Sequence, residues 1–169
     1  MLAGVPCGRL PSPLSNPSQM KAFLVSAVAV LATAVIGGIG SAQAPLYYAS
    51  VEKPPWAPPS WVFGPVWTVL YILIAVAGGM ALQRAGRRLP LVLTIFFVQL
   101  ALNALWSWIF FARQLPGVAL VEIAILWAAV LANTIVFWRI RRAAGLLFLP
   151  YLAWVSFAAA LNASFWLAR

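Results

Sequence analysis

The side chains that usually carry enzyme chemistry are scarce in this sequence, whereas tryptophan is abundant. Among 169 residues there is no histidine, and cysteine occurs once, at Cys7. The only acidic residues are Glu52 and Glu122. These numbers exclude imidazole catalysis and histidine-based metal sites, and they make paired-carboxylate catalysis very unfavourable. We therefore expect no catalytic residue and no metal site, and the nine tryptophans become the candidates for binding.

The most distinctive segment, residues 43–60, combines tyrosine and tryptophan with closely spaced prolines that continue to Pro65. Proline lacks a backbone donor and fixes φ, so this pattern predicts a stiff, polyproline-like cover without a regular helix. One interpretation is an aromatic belt at the level of the lipid headgroups. A belt does not need a stiff backbone, however. We therefore favour rigid rings held over the mouth of a bundle, where they contact a flat apolar ligand.

Five apolar stretches must position these aromatic side chains. The chain is 64% apolar and 8% charged, with a mean hydropathy of +0.98. In a soluble domain about 25% of the residues are charged, so a chain this poor in charged residues must lie partly in lipid. Each stretch is about 20 residues long, which matches the hydrocarbon thickness of a bilayer. The prediction is an all-α integral membrane protein, a five-transmembrane-helix bundle with a Pro/Trp-rich loop between helices 1 and 2. The expected spans are residues 21–42, 61–82, 89–111, 115–138 and 144–167.

The first residues of the chain differ in composition from the rest. Residues 1–19 are rich in proline, serine and glycine and lack the long apolar run of a signal peptide. We expect a disordered tail there and one membrane domain over residues 20–169. An alternative is that Met20 is the true start, in which case Cys7 has no function.

Basic residues are distributed unequally between the two ends of the expected bundle. The net charge is +9, and eight of the eleven basic residues fall on the N-terminal side. This bias predicts a cytoplasmic N-terminus in a cell membrane, with an outer membrane as the alternative, and it does not require a nucleic-acid partner. The N-terminal set is Arg9, Lys21, Arg84, Arg87, Arg88, Arg139, Arg141 and Arg142, and the opposite set is Lys53, Arg113 and Arg169.

Several polar and small residues lie inside the expected spans. Gln99, Asn103 and Ser107 are spaced i, i+4, i+8 and share one helix face, where they either bond to other helices or contact a ligand. For Glu122, structural pairing is the first expectation, with snorkelling or proton or cation movement as alternatives. Small residues repeat every four positions in the first two spans, which permits close helix contact within one chain or in a homodimer.

Three ordered motifs resemble the translocator protein family, whose bacterial members are called tryptophan-rich sensory proteins. The first is Trp56-Ala-Pro-Pro-Ser-Trp61-Val-Phe63-Gly-Pro-Val-Trp67-Thr-Val-Leu-Tyr71. The second is Gln-Leu-Ala-Leu-Asn-Ala-Leu-Trp-Ser-Trp-Ile-Phe-Phe at residues 99–111, and the third is Pro-Tyr-Leu-Ala-Trp-Val-Ser-Phe-Ala-Ala-Ala-Leu-Asn at residues 150–162. The resemblance covers about residues 20–166.

The resemblance implies a membrane receptor for porphyrins, namely protoporphyrin IX and haem, that regulates tetrapyrrole metabolism or a stress response. Trp67 and Trp154 match the two tryptophans that the family places against porphyrin. Trp154, Ala158 and Asn162 follow at i, i+4, i+8, so a ring above a small residue forms a slot that Asn162 could close. The candidate ligand-binding residues are Tyr47, Tyr48, Trp56, Trp61, Phe63, Trp67, Tyr71, Asn103, Trp106, Trp154, Ala158, Leu161 and Asn162.

Other functions stay open at this point. A transporter of porphyrins or sterols is one alternative, and a light-dependent porphyrin-degrading enzyme that uses its tryptophans is another. The family's cholesterol motif needs a central tyrosine, which the segment from Leu161 to Arg169 lacks. No cofactor is required: porphyrin or haem is the ligand, and without histidine it is recognised by shape and stacking, with the propionates near Lys53 or Arg113. The expected partners are this small molecule, the lipid membrane and a second copy of the chain.

Overall fold

Helices account for the fold of this chain. The computed structural model describes residues 17–168, and no strand occurs in that range. Five helices are long and apolar enough to cross a membrane, which confirms the predicted fold class. They are α1 (Pro17–Gly40), α3 (Phe63–Arg84), α4 (Leu89–Ser107), α5 (Pro116–Ile140) and α6 (Arg142–Leu167), and a short helix, α2 (Ala44–Ser50), lies between the first two.

The beginning of the first span differs from the prediction. Helix α1 starts at Pro17, so residues 17–19 are helical and do not belong to a disordered tail. The remainder of the predicted tail, including Cys7, lies outside the described residues. Proline is compatible with the first turn of a helix because the backbone N–H it lacks has no partner there.

The segment between α1 and α3 corrects a second prediction. Its first half forms α2, although we expected no regular helix in this segment. Pro45 lies in the first turn of α2, where proline starts a helix and does not break it. Residues 51–59 carry the remaining prolines without regular structure, and a 3₁₀ turn at Ser60–Val62 leads into α3.

The five long helices form a closed ring in the order α1, α3, α6, α5, α4. Phe96, Phe137, Phe148 and Tyr151 are fully buried inside it. At the end where α3 finishes, α1 and α3 approach closely, and Ser26 donates a hydrogen bond to the Ala75 carbonyl over 2.8 Å. The opposite end of the ring, beneath α2, is less completely filled.

Helix α4 ends in a π-helical segment, Trp108–Ala112. Such segments occur frequently at functional sites, because an extra residue in the turn changes the direction of the side chains. Here Trp108 donates its indole N–H to the Ile36 carbonyl over 3.0 Å and lies against Gly40. The segment therefore fixes α4 to the end of α1, and it places Phe110 and Phe111 beneath α2.

Candidate functional site

Hydrogen bonds of Tyr48 stabilise the loop between α1 and α3. The Tyr48 hydroxyl donates a 2.6 Å hydrogen bond to the Pro58 carbonyl, which ties α2 to the proline segment. Lys53 donates to the Tyr48 carbonyl over 2.9 Å, and its ammonium lies 5.3 Å from the centre of the Tyr48 ring. Burial raises the pKa of the Tyr48 hydroxyl, so this group remains a donor at neutral pH. We call residues 44–59 the cover.

Edge-to-face aromatic pairs hold the cover against the bundle. Tyr47 meets Phe110 edge to face with 5.6 Å between ring centres. Tyr48 meets Phe63 at 5.5 Å and Phe165 at 5.8 Å, again with the rings nearly perpendicular. Edge-to-face pairs contribute about 0.5–1.5 kcal/mol each beyond their buried area. The cover is therefore attached by a few aromatic contacts that a ligand could displace.

A cavity of about 260 Å³ lies directly under the cover, between α1, α3, α4 and α6. Its walls are mostly aromatic or small, and Ser41, Ser60, Ser107 and the two tyrosines contribute the hydroxyl groups. The lining residues are Ala34, Gly37, Gly38, Ser41, Ala44, Pro45, Tyr48, Ser60, Phe63, Gly64, Trp67, Tyr71, Trp106, Ser107, Phe111, Trp154 and Ala158.

Tryptophans from three helices form the walls of this cavity. Trp67 of α3 packs on Tyr71 with 5.2 Å between ring centres. Trp106 of α4 stacks on Phe110 at 4.7 Å, with 14° between the ring planes. Trp154 of α6 meets Phe63 edge to face at 5.8 Å. The arrangement can hold a flat apolar molecule, since its rings are fixed by neighbours before any ligand arrives.

The cavity is open where α1 and the start of α3 carry small residues. A Cβ atom added to Gly38 of α1 or to Gly64 of α3 would meet no atom within 4 Å. At Gly37 the same atom would lie 3.5 Å from the Ser107 hydroxyl. The small-residue spacing in α1 was interpreted above as a helix contact, and sequence reasoning therefore missed this wall.

Two asparagines connect the helices behind the cavity wall. Asn103 accepts a 3.0 Å hydrogen bond from the Tyr71 hydroxyl and donates a 2.9 Å bond to the Tyr151 hydroxyl. Asn162 accepts from the Trp106 indole over 3.3 Å and donates to the Pro116 carbonyl over 2.7 Å. These bonds fix the positions of Tyr71 and Trp106, and neither asparagine reaches the cavity.

The sequence profile of the TspO/MBR family matches residues 24–167, which is nearly the whole described chain. The chain belongs to the TspO/MBR family. This family assignment confirms the resemblance that the three motifs indicated.

Named relatives of this TspO/MBR chain come from an archaeon, a bacterium and mammals. It is 44% identical over 146 residues to the tryptophan-rich protein TspO of Archaeoglobus fulgidus, covering 86% of this chain and 95% of that one. It is 37% identical over 148 residues to the protein of the same name in Chlorobaculum tepidum, covering 84% and 94%. The human translocator protein is 36% identical over 123 residues, covering 71% of this chain and 73% of that one.

The structure brings seven of the candidate residues of this TspO/MBR chain into the cavity wall and leaves six outside it. Those in the wall are Tyr48, Phe63, Trp67, Tyr71, Trp106, Trp154 and Ala158. Tyr47, Asn103, Leu161 and Asn162 are buried in packing and are not among the lining residues, and the closing of the slot by Asn162 stays a prediction. Trp56 packs on Phe157 at the outer edge of the cover, and Trp61 is 73% exposed.

Of the three polar residues in the third span, Ser107 lines the cavity and Gln99 is fully buried away from it. Glu122 is buried on α5, and neither carboxyl oxygen has a hydrogen-bond partner within residues 17–168. The expected structural pairing of Glu122 is therefore not seen in this part of the chain. The groups expected to meet propionates lie outside the wall: Lys53 bonds to the Tyr48 carbonyl within the cover, and Arg113 is exposed.

Proposed function

We propose that this chain is a membrane receptor for porphyrins and similar flat lipophilic molecules, acting in tetrapyrrole metabolism or a stress response. The observation that carries the proposal is the cavity under the cover, whose walls present Trp67, Trp106 and Trp154 from three different helices. A planar ring system buried against such walls gains roughly 25 cal/mol per Å² of apolar surface. The aromatic walls favour flat ligands in particular, because a flat ring system can stack on or meet the edges of these rings.

The size of the cavity suggests how a ligand is sensed. Its 260 Å³ lies just below the range of about 300–1,000 Å³ that is usual for small-molecule pockets. A tetrapyrrole therefore enters only when the cover moves outward and the edge contacts of Tyr47 and Tyr48 open. Because cover movement accompanies binding, occupancy changes the shape of the surface that faces away from the bundle.

Recognition through ring faces does not depend on a metal in the porphyrin. The chain has no histidine, which is the usual axial ligand of haem iron in binding proteins. Protoporphyrin IX and haem are therefore expected to use the same walls with similar affinity. The propionates reach the rim of the cover, where Lys53 exchanges its bond to the Tyr48 carbonyl for a carboxylate.

The test is a titration of the purified chain in detergent with protoporphyrin IX, following tryptophan fluorescence in the dark. Trp154→Leu should weaken binding at least about tenfold, since loss of 1.4 kcal/mol is a factor of ten. Trp127→Leu is the matched control, because Trp127 bonds to Ser156 away from the cavity. Equal losses in both variants would refute the proposed site.

The same purified chain distinguishes a receptor from a light-dependent enzyme and from a transporter. New absorption bands that form only under illumination would favour porphyrin breakdown, and accumulation of porphyrin inside proteoliposomes would favour transport. Saturable dark quenching without either result supports a receptor. The expected homodimer stays a prediction, which light scattering in detergent tests.

A further inference from the structure

Two polar side chains in the interior of the bundle have no use in the proposed ligand site. Gln99 of α4 is completely buried, and Glu122 of α5 is 6% exposed. Neither the amide atoms of Gln99 nor the carboxyl oxygens of Glu122 have a hydrogen-bond partner among the described residues. Inside a membrane protein such side chains are costly and usually serve a function.

Helix register places Glu122 just behind the cavity wall. On α5, Asn133 donates to the Ile95 carbonyl of α4 over 2.9 Å, which sets the two antiparallel helices side by side at that level. Glu122 lies eleven residues before Asn133, and Trp106 lies eleven residues after Ile95. Both helices rise about 1.5 Å per residue, so Glu122 is level with Trp106, a residue of the cavity wall.

The groups that face Glu122 are neutral. From α6, Tyr151 lies close enough for an electrostatic interaction with the carboxyl group. Tyr71 of α3 lies beyond it, joined to Tyr151 through Asn103 of α4. Arg113, next to the π-helical end of α4, is exposed, as is Glu52 in the cover. No basic side chain bonds to the Glu122 carboxyl within residues 17–168.

Charge and hydrogen bonding together indicate a protonated Glu122 and a bridging water molecule. A carboxylate without a partner is strongly disfavoured in a low-dielectric interior, so the neutral acid is the favoured form. The Tyr151 hydroxyl accepts a bond from Asn103, which leaves its own proton to donate to another acceptor. Buried polar groups in this situation are usually bridged by water, which needs two to four such partners.

We propose that Glu122 is an internal proton-binding site. Its carboxylate takes one proton from bulk water and is a neutral acid at neutral pH. An ordered water molecule connects the acid to the Tyr151 hydroxyl, and Asn103 continues the chain of hydrogen bonds to Tyr71 in the cavity wall. A ligand that moves Tyr71 therefore disturbs the acid. This last step rests on the proposed function, whereas the protonation itself does not.

Infrared spectroscopy tests the protonation in the ligand-free chain. Because the sequence has only two acidic side chains, one substitution at each can assign a protonated-carboxyl C=O band at neutral pH. We expect such a band, a downshift in D₂O, its loss in Glu122→Gln and its retention in Glu52→Gln. Absence of the band from the parent chain, or its persistence in Glu122→Gln, would overturn the proposal.

A second measurement avoids any dependence on the folding of Glu122→Gln. In the Glu52→Gln chain, labelling with ¹³C-glutamate should shift the same band, since Glu122 is then the only glutamate left. A band that does not shift belongs to another group and overturns the assignment.

Addition of protoporphyrin IX in the dark tests the link to the cavity. At saturation we expect the Glu122 band to shift in the parent chain and to stay in place in Tyr71→Phe, which lacks the hydroxyl bound to Asn103. Fluorescence quenching with an unshifted band in the parent chain overturns the link and leaves the proposed receptor intact. Absence of quenching contradicts the receptor and the link together, while the ligand-free band still decides the protonation.

Discussion

A single hydroxyl group in the cover offers a direct test of how a ligand enters. Tyr48→Phe removes the 2.6 Å bond to the Pro58 carbonyl and leaves the ring that packs between Phe63 and Phe165. The closed cover loses one of its connections between α2 and the proline segment, whereas in the opened cover the hydroxyl would bond only to water. The substitution therefore shifts the cover towards its open form.

The size of this effect follows from the bond that is lost. A typical hydrogen bond contributes about 0.5–1.5 kcal/mol net, and 1.4 kcal/mol is a factor of ten. The open fraction should therefore rise roughly 2- to 12-fold. Apparent affinity scales with the fraction of molecules that are competent to bind. If the closed cavity is too small for a tetrapyrrole, both the association rate and the affinity should rise by this factor.

Stopped-flow quenching of tryptophan fluorescence by protoporphyrin IX in the dark measures the association rate. Ser164→Ala is the matched control, because its hydroxyl also donates to a backbone carbonyl, that of Ala160 within α6, and does not bond to the cover. An association rate in Tyr48→Phe that equals or falls below that of the parent would show that the ligand does not enter under the cover.

Three further outcomes test the cavity, the helix packing and the orientation. Ala158→Thr should fold but bind protoporphyrin IX at least about tenfold more weakly, because packing the larger side chain into the cavity wall costs about 1–3 kcal/mol. Ala158→Ser should show a smaller loss of affinity. Equal binding isotherms for the two variants and the parent chain would place this face of α6 outside the site. Gly78→Ala should lower the melting temperature in detergent, because its Cβ would collide with the neighbouring side chains; Gly38→Ala meets nothing and should not. In a cysteine-free chain, single cysteines at Ser50 and Gly86 should be labelled from opposite sides of the membrane, and labelling from one side would contradict the topology.

The fold was predictable because lipid restricts the choice of backbone. A chain crossing hydrocarbon must satisfy its own N–H and C=O groups, so only helices and closed barrels can cross it, and a continuous apolar run of about 20 residues has the length of a helix. Helix α2 was missed for the opposite reason. It has only seven residues, which is too short to be stable by propensity alone, and it forms because Tyr47 and Tyr48 pack on the bundle. Such tertiary stabilisation leaves no periodic pattern in the sequence.

Large rings in the motifs were only a partial guide to the cavity. Trp67 and Trp154 line it, whereas Trp61 is 73% exposed, and contact of any of these rings with a ligand stays a prediction. Asn103 and Asn162 were harder to interpret, because a polar residue in a membrane helix satisfies its hydrogen bonds equally well with a ligand or with another helix. Helical spacing gives the face on which such a residue lies but does not identify its partner.

Glycine explains why the cavity lies at one end of the ring. At the end where α3 finishes, the space above Gly78 is filled by Ser26 and Phe96, and α1 packs tightly on α3. Near the cover, no atom fills the space beside Gly38 or Gly64, so the same two helices leave a gap. The same residue type therefore gives a tightly packed end that supports the walls and an open end that holds the cavity. Side chains added at the open end should change ligand affinity more than stability, and side chains added at the packed end should do the reverse.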